Sequence, residues 1–157
     1  MQPPAVGVLP LTHMVGDDDQ DTALLRDMAS DAERYLQSFR WCKGIEEAYW
    51  GGGVGKVFAL FLFKIIPATA EIDEWLWVVT GDVPQAYLVL DESNSPAEAF
   101  ETYLDLMTKW VDLAREGRSS PDLPPTGVPP TPESATDLAQ RLNFLKTEIK
   151  PFLGRGL

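Results

Sequence analysis

Val57-Phe58-Ala59-Leu60-Phe61-Leu62-Phe63-Lys64-Ile65-Ile66, closed by Pro67, is the stretch on which the fold of this chain turns. Its β-branched and aromatic residues favour a strand, and Pro67 removes the donor that would continue it. Only Lys64 interrupts its apolar character, so the strand belongs at the centre of a sheet, with helices or a partner over each side. The run is far short of the roughly 20 residues that span a bilayer. Before it, residues 46–50 form a short strand, and Gly51-Gly52-Gly53-Val54-Gly55 reads as a glycine-rich turn. After it come strands over 75–80 and 86–90, with Gly81-Asp82-Val83-Pro84 turning between them. Connections this short imply antiparallel neighbours, because a parallel crossover needs a dozen or more residues.

Helical periodicity flanks this block. Over residues 17–43, Leu25, Met28, Ala32, Tyr35, Leu36 and Phe39 recur at steps of three and four, on one face. The acids Asp17, Asp18, Asp19 and Asp21 suit the positive end of that helix, and Gly44 is positioned as its C-terminal cap. A second helix starts at Ser95-Pro96 with Glu98 completing a capping box, carries the stripe Phe100, Leu104, Met107, Val111 and Ala114, and stops at Gly117. Residues 119–132 hold six of the thirteen prolines, too many for a helix or strand interior. Thr131-Pro132 opens a third helix with Ala135, Leu138, Leu142, Leu145 and Ile149 on one side.

The expected architecture is α+β: an antiparallel sheet of three to four strands packed with three helices, in the order α-β-β-β-β-α-α. Residues 1–16 would be an extended tail, 17–118 the core domain, and 119–131 a proline-rich arm. Residues 132–157 would form a C-terminal helix that packs on the core or on a partner subunit.

Twenty-four acids against thirteen bases in 157 residues leave a net charge of -11. That balance argues against direct contact with nucleic acid or an anionic membrane surface. Residues 45–95 carry eight acids against only Lys56 and Lys64, a net of -6 and more than half of the excess. Unpaired carboxylates are expensive to bury, so these should form an acidic rim around the sheet. Cys42 stands alone, which excludes an intrachain disulfide, and His13 is the single histidine, which excludes a His-rich metal site. A buried free thiol and the lack of a basic, uninterrupted apolar leader point to the cytoplasm.

Motifs of chemistry fail on their own requirements. The glycine run has Trp50 where a phosphate loop needs its first glycine, Val57 where it needs Ser or Thr, and a strand where it needs a helix. Asp17, Asp19 and Asp21 match the first liganding positions of a calcium loop, but Thr22 and Met28 replace its glycine and its bidentate glutamate. His13 lies among prolines and Cys42 near a helix end, so neither forms a nucleophile–base pair. Asp82 and Asp91 are the carboxylate candidates for acid–base work, although Asp82 also suits a turn. No catalytic set, cofactor or metal is expected.

The stretch Trp77-Val78-Val79-Thr80-Gly81-Asp82-Val83-Pro84-Gln85-Ala86-Tyr87, followed by residues 103–110, resembles a pattern in small uncharacterised bacterial proteins. The resemblance spans about the middle third of the chain and implies the α+β fold and a bacterial origin, with no activity.

A non-enzymatic, acidic protein-binding domain is therefore the leading expectation, most concretely an immunity-type inhibitor of a basic toxin or effector. Glu46, Glu47, Glu74, Asp82 and Glu92 would steer that partner, and Tyr49, Trp50 and Tyr87 would anchor it. Trp50, beside the glycines, is expected to be partly exposed, and Trp75 and Trp77 to fill the sheet core. The alternatives are a homodimeric secretion or assembly chaperone with an apolar groove, and a carboxylate-dependent enzyme built on Asp82.

Overall fold

The apolar run becomes β3 (Phe58–Pro67), the middle strand of a five-stranded antiparallel sheet in a computed structural model that describes residues 3–90 and 93–154. The other strands are β1 (Leu9–Pro10), β2 (Cys42–Val54), β4 (Trp75–Gly81) and β5 (Ala86–Val89), and they lie in chain order across the sheet. The helices are α1 (Asp19–Gln37), α2 (Pro96–Ala114) and α3 (Pro132–Phe144). Phe58, Ala59, Leu60, Phe61, Leu62 and Phe63 are all fully buried. Alternation of side chains along β3 sends Phe58, Leu60 and Leu62 to the face covered by α2 and α3, and Phe61, Phe63 and Ile65 to the face covered by α1. A strand apolar on both sides thus requires three layers, with a helical layer on each face of the sheet. The mixed α+β architecture expected above is the one observed, with a fifth strand that the tail was not expected to supply.

The helix boundaries follow local chemistry. Asp18 caps α1 by accepting from the Asp21 amide, Ser95 caps α2 through the Glu98 amide, and Thr131 and Ser134 form a reciprocal box at α3. Gly117, at φ +70°, closes α2: its amide donates to Ala114 and the Arg118 amide to Leu113, the paired bonds of a left-handed cap. The buried stripe of α3, Ala135, Leu138 and Leu142, continues into Leu145 and Ile149 of a terminal π turn and packs into the same core as α2.

Two boundaries depart from expectation. α1 stops at Gln37, not Lys43, and Gly44 is no cap: it lies in β2, paired with Ile66 of β3. The long apolar edge of β3 demands a partner over its full length, and Cys42, Gly44 and Ile45 supply it. The glycine run is no turn either. β2 passes through Gly51, Gly52 and Gly53, and the chain reverses only at residues 54–57, where the Val57 amide donates to Val54. A register shift between Trp50 and Gly52 bends the strand there. The bend admits the C-terminal segment: Leu153 bridges to Gly52, and the Gly154 amide donates to the Gly51 carbonyl at 2.9 Å.

The reversal is held by Asp21, whose carboxylate accepts from the Gly55 amide at 2.7 Å and the Asp17 amide at 2.9 Å. Asp21 thus serves as a clamp between helix start and hairpin, not as a calcium ligand. Asp21→Ala removes the acceptor of the half-buried Gly55 amide, and a loss of about 1–3 kcal/mol is expected in urea unfolding. Asp19→Ala on the neighbouring residue serves as the near-neutral comparison.

Candidate functional site

The strand register sets three acids around one lysine. Lys64 of β3 stands opposite Glu47 of β2 and Trp75 of β4, so Glu47 and Glu74 arrive on either side of it. A register shift between Ile45 and Glu47 brings Glu46 to the same place. The Lys64 ammonium lies 3.3 Å from Glu46 and 3.8 Å from Glu47. The hydrogen bond to Glu46 and its charge, with Glu47 and Glu74 adding to them, raise the Lys64 pKa. Three carboxylates around one ammonium leave this end of the sheet negative. The Tyr49 hydroxyl donates to Glu47 at 2.6 Å, and its ring is buried beside Trp75.

Asp82 is elsewhere. It follows β4, whereas Glu74 precedes it, and the intervening strand separates them by about 25 Å at 3.3 Å per residue. Arg141 of α3 donates to the Asp82 carboxylate and to its carbonyl, both at 3.0 Å, and also reaches Asp137 at 3.4 Å. Asp82 and Arg141, with Lys56 and the half-exposed Phe144, border an open cavity of about 530 Å³. An exposed pair of this kind contributes little stability. Asp82 is thereby tied to α3, and among the described residues no second carboxylate of the strand block is brought beside it at this end of β4.

The anchors separate as well. Trp50, expected to be partly exposed, is sealed between α1 and the sheet at 6% exposure, and its Nε1 has no hydrogen-bond partner among the described residues. Continuation of β2 past Trp50 is the reason, since it places the ring inside the sheet instead of at a loop tip. Tyr49 is buried on the opposite face. Trp77 fills the core as expected, whereas Trp75 is only half-buried. Tyr87 alone of the three anchors is exposed. Glu92 and Asp91 lie outside the described residues. A continuous acidic rim studded with aromatic anchors is therefore not what the fold assembles.

What it assembles instead is a cluster of rings around Tyr87. Phe39 and Trp41, in the turn between α1 and β2, stack at 4.9 Å, and Tyr87 meets them edge-on at 5.3 and 5.1 Å. Tyr35, from the last turns of α1, lies 5.2 Å from Phe39 and 6.4 Å from Tyr87. Beside the cluster, a groove of about 650 Å³ follows β5, walled by Tyr35, Phe39 and Tyr87 on one side and by Leu106, Leu123 and Pro124 on the other. Tyr35, Phe39 and Trp41 crowd together in the sequence, but their meeting with Tyr87 depends on sheet order and could not be read from spacing. Among the described residues, no group of three or more His, Cys, Asp or Glu side chains is placed to hold a metal ion, and no helix is long and apolar enough to cross a membrane. No family model matches the chain, and neither a curated protein nor a solved structure is significantly similar to it.

Three phenols resist ionisation. Burial, with the Tyr87 hydroxyl nearby, pushes Tyr35 up to about 12. The hydrogen bond to Glu47, with burial and that carboxylate's charge, pushes Tyr49 up to about 12. Burial raises Tyr103, whose hydroxyl donates to the Pro84 carbonyl at 2.7 Å. Because the folded values exceed the unfolded value near 10, the native state holds these protons more tightly. For Tyr35 and Tyr49 that stabilisation is complete below pH 10 and is lost as pH climbs through 12. Urea midpoints should fall steadily over that interval, with Tyr49→Phe showing a shallower fall.

Proposed function

We propose that this chain is a non-enzymatic protein-binding domain that docks a basic partner, in the manner of an immunity-type inhibitor holding a toxin or effector in the cytoplasm. The observation that carries this reading is the ring cluster around exposed Tyr87, beside a mostly apolar groove, on a chain of net charge -11. Aromatic side chains at a groove provide binding anchors, and a strongly negative field draws a cationic partner toward them. Glu46, Glu47 and Glu74 act at a distance from the groove, on encounter rate and not on contact. Asp82 serves the tie to α3 and leaves the interface. The apolar lining of the groove also suits the chaperone alternative, in which the occupant is an unfolded client.

Calorimetric titration with a lysine-rich peptide containing phenylalanine, and with its glutamate-rich counterpart, tests the proposal. Binding of the first alone is expected, weakening about tenfold or more between low and physiological salt. Equal binding of both peptides, or indifference to salt, would overturn it. In the triple variant Glu46→Gln, Glu47→Gln, Glu74→Gln, stopped-flow association should slow several-fold while dissociation holds steady.

A further inference from the structure

The two edges of the sheet are treated differently. On the β2 side, Leu9 and Pro10 pair with Trp50 and Tyr49, and Leu153 and Gly154 bond to Gly52 and Gly51, so both ends of the described chain are spent covering that edge. On the other side β5 pairs with β4 through Ala86, Tyr87, Leu88 and Val89, and among the described residues no other backbone bonds to its outer side, where the Tyr35 hydroxyl meets the Tyr87 backbone and would have to give way to an incoming strand. Outward N–H and C=O groups in a row form a template for another strand. The segment nearest to it cannot serve. Residues 121–127 of the proline-rich arm line the groove, but Pro121, Pro124 and Pro125 have no N–H to donate, so the arm makes a wall and not a sixth strand.

From this we infer that the open β5 edge takes an extended segment of a basic partner protein as a sixth strand, seated in the groove between the ring cluster and the arm. The inference rests on the basic-partner reading and adds to it the place and mode of docking. Four residues of edge offer about 13 Å of backbone pairing. Side chains of the incoming strand alternate between two walls: one set meets Tyr35, Phe39 and Tyr87, and the other meets Leu88, Leu106 and Leu123. Apolar residues fit the second wall. Lysine or arginine fits the first, where its head can lie over a ring face. Among the described residues Asp122 is the one charged residue in the groove lining, and it is acidic, in keeping with the net charge of the chain. A second copy of this chain is the poorer occupant, because each copy brings a charge of -11 to the contact.

Isotope-labelled full-length protein, titrated with a hexapeptide of alternating valine and lysine and with its valine–glutamate counterpart, tests this by NMR and amide exchange. The lysine peptide is expected to shift the amides of residues 85–90 and to slow exchange at the outward amides of β5 by tenfold or more. Tyr87→Lys should weaken that peptide at least tenfold, with the urea midpoint checking that the fold survives the loss of the ring's contacts to Phe39 and Trp41. If the lysine peptide binds but its shifts gather at Glu46, Glu47 and Glu74, strand addition is wrong and the basic-partner reading stands. If neither peptide binds at millimolar concentration, both fall. Protection of β5 in a dimer without peptide would replace the partner strand by a second copy, and equal binding of the glutamate peptide would also overturn the inference.

Discussion

Gly53→Val is expected to cost the fold a large share of its stability. Gly53 sits in β2 at φ +146°, where a side chain is strained whatever the space around it. The space is absent as well: an added Cβ would press on the Phe58 carbonyl oxygen and come within 2.7 Å of the Ala59 Cα. Both are backbone atoms of the central strand, so no rotamer change relieves the contact. Gly52, at φ +122°, is closed by the Phe152 carbonyl and by the Leu153 Cα at 2.8 Å, which ties the C-terminal segment to the same bend. Strain and overlap together amount to more than about 3 kcal/mol, a large share of the 5–15 kcal/mol typical of a domain. Gly127→Ala is the control, since Gly127 also has positive φ (+78°) but nothing within 4 Å. Circular dichroism and urea unfolding of Gly53→Ala and Gly127→Ala separate the contributions. Equal losses at the two positions would show that the close approach of β2 and β3 does not matter.

The second large effect belongs to Trp77. Its ring is fully buried between Leu62 and Leu88 on the face covered by α2 and α3, and its Nε1 donates to the Ser93 carbonyl at 2.8 Å. The Ser93 hydroxyl in turn shares a 2.8 Å hydrogen bond with Thr102 of α2. Trp77→Ala removes a core ring and is expected to destabilise by about 3–5 kcal/mol. Trp77→Phe keeps most of the volume but strands the Ser93 carbonyl, adding about 1–3 kcal/mol to the packing loss. Trp50→Phe gives the contrast. Among the described residues the Trp50 Nε1 has no partner to lose, so the smaller ring there should be tolerated better than at Trp77. Urea midpoints decide the order, and a reversed order would mean that the Ser93 bond contributes nothing.

The candidate site divides along the same line as these residues. Of the three rings expected to stand beside the acids of the meander, Tyr87 is the one the structure leaves exposed. The burial of Trp50 was not legible, because local composition, a ring followed by three glycines, describes a loop tip as readily as a bend within a strand. Among the described residues Glu46, Glu71, Asp73, Glu74 and Asp82 are exposed and Glu47 is half-buried, yet their numbers along the chain conceal that Glu74 and Asp82 stand at opposite ends of one strand. Gly44 failed as a cap for a related reason. A glycine after a helical stripe ends a helix only if nothing else needs that backbone, and β3 needed it.

Properties set by neighbours along the chain were fully present in the sequence: the capped starts at Ser95 and Thr131, the stop at Gly117, the buried stripes of the helices, and a β3 that demands cover on both faces. Each is a matter of periodicity, φ preference or a hydrogen bond within one turn. Tertiary structure alone decided that three glycines continue a strand, that the tail and the C-terminal segment close one sheet edge, and that rings from α1, the following turn and β5 meet beside the edge left open. Those outcomes depend on which backbones lie next to one another, and pairing between distant strands leaves no local trace for a sequence to carry.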